Sequence, residues 1–426
     1  MSSSVVELAS SNDNSGDHGN DDRIDLKEPL PYGADPRDLG LSVIPREAFL
    51  RAAISLKDQV VQVTWREGGD VGSGHDPTAY TGLLGTAFIC LRSYEATGNR
   101  QDLLLSSDIA EACAISSRTS SRQVTFLCGK GGIYAVGAVI ANYLGDHQGR
   151  DSFLDLFLVL AQESALPVGP EEGGLGMSYD LLYGRAGFLW AALFINKYLG
   201  QGTIPNELLM PIVEAVLAGG RAGALGIPTC PLMYRWNGTR FLGAANGLAG
   251  ILQVLLHFPL SENSAEDVKG TLRYMMSSRF HRSGNYPSSE GNRRDELVQW
   301  SHGATGVCIT LCKASQVFAD DKEFRDAAIE AGEVVWKSGL DKRVGLADGI
   351  SGNSYAFLSL YRLTGETIYE ERAKVFGGFL IHNATRLVGL GHAVNAYSLF
   401  QGLAGTACMW FSLFDPENSR FPGYEL

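Results

Sequence analysis

The chain has 426 residues, 45% of them apolar and 19% charged, with 51 glycines and a formal net charge of −12. That length suits two or three ordinary domains or one large repeat assembly, and the composition is that of a globular protein with a sizeable core. The charge argues against a general nucleic-acid binder, which needs Lys and Arg to replace phosphate counterions. Seven cysteines without a C-x-x-C pair fit free thiols in a reducing compartment better than a disulfide framework.

Residues 1–30 read as a disordered tail. Ser, Asn, Asp and Gly dominate Ser10 to Asp22, with few apolar side chains to offset the entropy of ordering. The start, Met1-Ser2-Ser3-Ser4, has neither the basic and apolar regions of a signal peptide nor a glycine after Met for myristoylation. The expected location is therefore cytoplasmic, and the sequons at Asn237 and Asn383 matter only in a secreted chain. One folded domain is expected over 31–426.

From there one rhythm recurs seven times: a G-x-x-G turn that opens an apolar run. The pairs are Gly82/Gly85, Gly129/Gly132, Gly184/Gly187, Gly247/Gly250, Gly303/Gly306, Gly349/Gly352 and Gly402/Gly405, with first glycines 47, 55, 63, 56, 46 and 53 residues apart. In a chain this rich in glycine, roughly six such pairs arise by chance, so the pair alone is weak evidence. The apolar run after each pair is stronger evidence, because a helix apolar nearly all round is a buried helix.

Between the turns lie amphipathic stretches with apolar residues at three- and four-residue steps: Arg46 to Val63, Gln101 to Ile115, Asp151 to Glu163, Asn206 to Leu217, Asp267 to Ser277, Lys322 to Lys337 and Thr367 to Leu380. Pro45 and Pro205 mark two helix starts. Seven outer and seven inner helices, each pair unable to bury itself alone, predict an all-α repeat closed into a ring, an (α/α)7 toroid. In such a ring the glycines let inner helix ends crowd near the axis. A membrane reading fails on length. The apolar runs are shorter than the roughly 18 to 20 residues of a span, and they carry Arg92, Asn142, Lys197 and Arg362.

These turns, with Tyr179 to Arg185, Pro231 to Tyr234, Gly243 to Gly250, Gly284 to Pro287 and the final Arg420 to Leu426, resemble the eukaryotic lanthionine synthetase C-like proteins. The match runs from about residue 40 to the last residue and is nearest to the plant branch, whose members were once named as a G-protein-coupled receptor and proposed as abscisic acid receptors. The resemblance implies the same (α/α)7 double barrel. In the family's bacterial enzymes, zinc binds a peptide cysteine, and the thiolate closes a thioether ring on a dehydroamino acid. Animal members bind zinc and glutathione and are implicated in adding glutathione to dehydroamino acids.

The resemblance also locates the family's zinc ligands, and here the carry-over fails. Ser301 stands at the fifth-turn Cys position, Ala347 and Asp348 at the sixth-turn Cys-His pair, and Asn246 at the fourth-turn His proposed as acid/base. Ala347 has no donor atom, a neutral hydroxyl is a poor ligand, and one carboxylate cannot stand for three ligands, so no zinc cofactor is expected. Asn246 cannot shuttle protons near neutral pH. Cys308 and Cys312 lie inside the fifth inner helix, facing core.

The expectation is a non-catalytic binding protein whose cavity floor is Asn246, Ser301, His302 and Asp348. Lys342 and Arg343 stand where animal members place basic residues against glutathione. The occupant is a small molecule, glutathione, a peptide or a signalling protein. Several of these residues also have a structural reading: His302 as a helix cap or packing residue, Asp348 as N-cap of the sixth inner helix, and Lys342 with Arg343 as a solvated pair. Asp180 is either a retained acid or the partner of the third turn. The run Asn292 to Asp295 is expected to form ion pairs at the rim. One alternative is metal-free thiol addition through His302 or Asp180. Another is abscisic acid binding or G-protein-linked signalling by a soluble protein or one attached peripherally at the plasma membrane. A carboxylate hormone needs a cation, from Lys342, Arg343 or Arg185. His18, His75, His147, His257, His281, His382 and His392 form no ligand spacing.

Overall fold

The computed structural model describes residues 43–67, 76–120, 123–163, 177–340, 342–390 and 395–426. The tail at 1–30, the predicted domain start, His18, His75 and His392 lie outside them.

Fourteen α-helices occur among the described residues, with no strand beyond two isolated bridges, Trp236 with Thr239 and Phe241 with Ser289. The inner helices are α2 (Leu84–Thr97), α4 (Lys130–Leu144), α6 (Arg185–Leu199), α8 (Leu248–Leu255), α10 (Ala304–Val317), α12 (Ile350–Thr364) and α14 (Leu403–Phe414). They alternate with α1 (Arg46–Val61), α3 (Arg100–Ser120), α5 (His147–Glu163), α7 (Asn206–Gly223), α9 (Glu262–Ser277), α11 (Glu323–Ser338) and α13 (Thr367–Leu390). Each inner helix packs on the next, α2 on α4 through to α12 on α14, and α14 returns to α2, so the ring closes. α1 lies outside that seam, against both α14 and α2.

Burial follows the two patterns read from the sequence. Every residue of α10 from Ala304 to Cys312 is buried, whereas α9 buries one stripe, Val268, Thr271, Leu272 and Met275. Cys308 turns outward, its thiol reaching Ala328 O of α11 at 3.3 Å. Among the described residues no helix is long and apolar enough to cross a membrane.

The glycine pairs have a local cause. In all seven turns, both glycines face the main chain six residues upstream. A Cβ on Gly82 would lie 2.1 Å from Asp76 O and one on Gly402 2.3 Å from Ala396 O. The second glycines are as tight: Gly132 meets Phe126 O and Gly352 meets Leu346 O, each at 1.9 Å. Crowding at the ring seam adds to this, as where Gly306 meets Ala244 Cβ at 2.7 Å. The expectation of glycines at crowded helix ends is thus sharpened: the first neighbour is the turn's own backbone at every one of them but Gly85, where Leu399 Cβ at 2.9 Å comes just ahead of Ala79 O at 3.0 Å. Gly303 differs from the other first glycines in having φ +105°, a region that disfavours any side chain.

Candidate functional site

The turns dock on one another through the residue two positions before each first glycine. Phe400 N donates to Tyr80 O (3.1 Å), Tyr80 N to Leu127 O (2.9 Å), Ala245 N to Ser301 O (3.5 Å), Ser301 N to Ala347 O (3.0 Å) and Ala347 N to Phe400 O (2.8 Å). Around the third turn the links change: Phe126 N donates to Gly187 O (3.1 Å), and side chains join in, Thr125 Oγ1 donating to Leu182 O (2.6 Å) and Asn246 Nδ2 to Asp180 Oδ1 (3.1 Å). This deck places the next residue of each turn at the same end of the inner barrel: Thr81, Cys128, Tyr183, Asn246, His302, Asp348 and Gln401. The sequence-predicted residues Asn246, Ser301, His302 and Asp348 all belong to this end.

Ser301 is buried, and its hydroxyl donates to Asp348 Oδ1. Asp348 Oδ2 accepts from Arg343 Nη1 at 3.3 Å. Asp348 therefore does not cap α12. That N-cap is Gly349, with no side-chain bond. Ala347 presents a fully buried methyl. Among the described residues, no group of three or more His, Cys, Asp or Glu is gathered to hold a metal ion.

His302 does not cap α10 either, whose N-cap is Gly303. Asn285 does that work, its Oδ1 accepting from Ala304 N at 3.0 Å, while its Nδ2 donates to Asp295 Oδ1 and Leu297 O at 3.0 Å each. Asp295 thus holds Asn285, not an arginine of its own run. The His302 ring stacks on Phe241, with centroids 5.7 Å apart, and its buried Nδ1 has no partner. Burial lowers its pKa, and the Asp348 carboxylate opposes that only in part, so the imidazole is neutral at pH 7.

Asp180 is buried and accepts from Ser178 Oγ, from Leu182 N and Tyr183 N (2.9 Å each) and from Asn246. It shapes the third turn. Burial nonetheless raises its pKa, because desolvation outweighs the hydrogen bonds that favour the charged form.

The remaining lining was not singled out from the sequence. Tyr183 stacks on Trp236 at 5.8 Å, and Tyr80 on Phe400 at 4.7 Å. Burial pushes the Cys128 thiol up to about 12, so no thiolate stands ready there. Position in the repeat, one residue before the first glycine, was the signal that could have found Cys128 and Tyr183. Of the cations considered for a carboxylate, Arg185 is fully buried under Tyr179 and donates to Met177 O (2.9 Å). Arg343 is engaged with Asp348, and Lys342 is exposed beside it. The site can thus offer a neutral imidazole nitrogen, paired carboxylates, an amide and an aromatic wall.

Residues 73–426 match the family model described as lanthionine synthetase C-like protein. The chain is 65% identical over 390 residues to LanC-like protein GCL1 of Arabidopsis thaliana, covering 90% of each chain. It is 34% identical over 358 residues to Glutathione S-transferase LANCL1 of Danio rerio, covering 82% of this chain and 85% of that one. Among solved structures it is similar to nisin cyclase, with a TM-score of 0.64 at 16% identity over 86% of this chain and 94% of that one, a likeness of fold.

Proposed function

The chain belongs to the lanthionine synthetase C-like family, and on that premise we propose that it uses the family's ring as a receptacle for a small molecule or peptide without the family's zinc chemistry. One observation carries this reading. At the three positions where the family holds zinc, the polar atoms close on one another: the Ser301 hydroxyl on Asp348, and Asp348 on Arg343. A methyl, an engaged hydroxyl and a carboxylate paired with arginine are not the donor set of a catalytic zinc site. With no ion bound, no Lewis acid lowers the pKa of an incoming thiol. The ligand this site suits has a flat apolar face for Trp236 and Phe241 and a hydrogen-bond donor for His302 Nδ1. Protein equilibrated with zinc and then desalted is expected to carry far less than one equivalent by elemental analysis. A stoichiometric, chelator-resistant ion would overturn the proposal.

A second reading, metal-free thiol addition, is favoured by the neutral His302 with its unpartnered Nδ1 and by the glutathione transferase name of the zebrafish relative. In it, Nδ1 takes the thiol proton as sulfur bonds the β-carbon of a dehydroalanine, and the imidazolium returns a proton to the α-carbon. Glutathione and a dehydroalanine peptide decide between the two. A rate equal to that of a His302→Ala, Asp180→Asn double variant supports the receptacle, and a rate at least about tenfold higher supports addition.

A further inference from the structure

A second recess opens at the opposite end of the inner barrel, where α8, α10 and α12 finish and the last residues of the chain fold in. Its volume is about 430 Å³, within the range of small-ligand cavities. Gln253, His257, Lys313, Arg362 and Glu425 are among its lining residues.

The carboxylates here are already taken. Glu425 is paired with Arg362 and accepts from Ser359 Oγ (2.8 Å) and Phe421 N (3.0 Å). Glu417 accepts from Arg46 and from the Tyr361 hydroxyl, each at 3.1 Å. Half-buried Lys313 has no hydrogen bond or ion pair among the described residues, and neither does Lys197, exposed nearby on α6. Burial lowers the pKa of Lys313, an effect that Glu425 opposes and Arg420 reinforces. His257 is held down to about 3 by burial and by the charges of Lys313 and Lys197. A half-buried ammonium without an ion pair makes the space attractive to an anion.

Two further atoms point to an occupant. Gln253, 1% exposed, gives its Nε2 to Tyr424 O at 3.2 Å, which fixes the amide and leaves Oε1 buried without a partner. His257 Nε2 is also buried without one. Buried polar atoms are nearly always satisfied, and an acceptor such as Gln253 Oε1 calls for a donor.

We propose that this recess is a binding site for a small organic anion that carries a hydroxyl or N–H, with its negative group on Lys313 and its donor on Gln253 Oε1. Two anion chemistries meet that description, a hydroxy-carboxylate and a phosphate monoester, and the test separates them. Calorimetry on the full chain at fixed ionic strength uses citrate and glycerol 3-phosphate as probes. Tricarballylate, which is citrate without its hydroxyl, is the control for the donor, and chloride is the control for charge.

Saturable binding of citrate or of glycerol 3-phosphate is expected, and the tighter of the two names the class. Lys313→Met should weaken it by at least about tenfold, the loss of one charge-assisted contact. The same variant should melt no lower than the parent, because it removes an unpaired, half-buried charge. Binding should persist in His302→Ala, which lies at the other mouth. Neither probe binding, binding unchanged in Lys313→Met, or tricarballylate matching citrate would each overturn the assignment. So would a destabilised Lys313→Met protein, since it would mean that the ammonium already has a counter-ion.

Discussion

Gly352→Ala and Gly389→Ala should move stability in opposite directions, although both place alanine in a helix. At Gly352 the new Cβ would lie 1.9 Å from Leu346 O, 2.8 Å from Leu346 C and 3.2 Å from Leu346 Cα. All three atoms are backbone, and relief requires a displacement of more than about 1 Å to reach ordinary contact. The helix cannot retreat, because Ile350 to Leu360 are buried on every side. The sixth turn must move instead, and it holds Gly352 N on Gly345 O (3.3 Å), Ala347 N on Phe400 O (2.8 Å) and Ser301 N on Ala347 O (3.0 Å). Weakening two or three such buried bonds costs about 1–1.5 kcal/mol each, and alanine returns about 1 kcal/mol of helix propensity, so the net loss is about 1–3.5 kcal/mol. Gly389, in α13, has nothing within 4 Å of its Cβ position. There the same change should gain about 0.5–1 kcal/mol. Urea unfolding followed by circular dichroism reads both, provided the slope stays constant. A Gly352→Ala midpoint equal to or above that of the parent would refute the account of the turns.

On the proposed reading, the triple variant Ser301→Cys, Ala347→Cys, Asp348→His should create zinc binding near one equivalent by elemental analysis, since the deck brings these positions together; a triple variant that folds but binds none counts against that reading. His302 should titrate below the ordinary histidine value by NMR, and Asp348→Asn should depress its pKa further, because that carboxylate is the influence raising it. Because the folded-state pKa of His302 lies below the unfolded value of about 6.5, its contribution to stability is present above that pH and is lost as pH falls through it; His302→Ala should flatten this slope. Asp180 has the opposite sign. Its folded pKa is raised, so its contribution is full below about 3.9 and is lost as pH rises through the folded value. Asp180→Asn should therefore be no less stable than the parent at pH 7 by urea midpoint, and a clear loss there means its partners hold the charge more strongly than burial opposes it.

The ring was legible because helices buried all round leave runs without a polar face, and because crowding demands glycine at a fixed place in every repeat. Helix limits were less legible where capping decides them. α9 starts at Glu262, ahead of the predicted Asp267, because the Ser261 hydroxyl accepts from Ser264 N at 3.3 Å. At the site, the residues that share the mouth could be read from their place in each turn, but not how they are used. The Ser301–Asp348 bond spans 47 residues and the Asn285 cap 19, and no periodicity encodes such pairings. His257, set aside for want of ligand spacing, lines the far recess because the ring and the last residues of the chain bring it to Lys313.

The last residues of the chain also bear on the site from below. Trp300, next to Ser301, stacks on Phe421 at 5.2 Å and meets the edge of Tyr424 at 5.5 Å. The Tyr424 hydroxyl reaches Thr310 Oγ1 at 2.5 Å and Gly306 O at 3.2 Å. The floor of the inner barrel is thus fixed twice, by backbone bonds passing from turn to turn and by an aromatic plug under the fifth turn. Neither support uses the side chains of Ser301, Ala347 or Asp348. A fold tied together by a metal is lost with its ligands, since metal binding and folding are then one process. A fold tied by main-chain bonds and buried rings depends on the glycines and Trp300 and not on those three side chains. On the reading proposed above, that asymmetry lets a chain keep all seven glycine turns with Ser301, Ala347 and Asp348 at the positions of the zinc ligands.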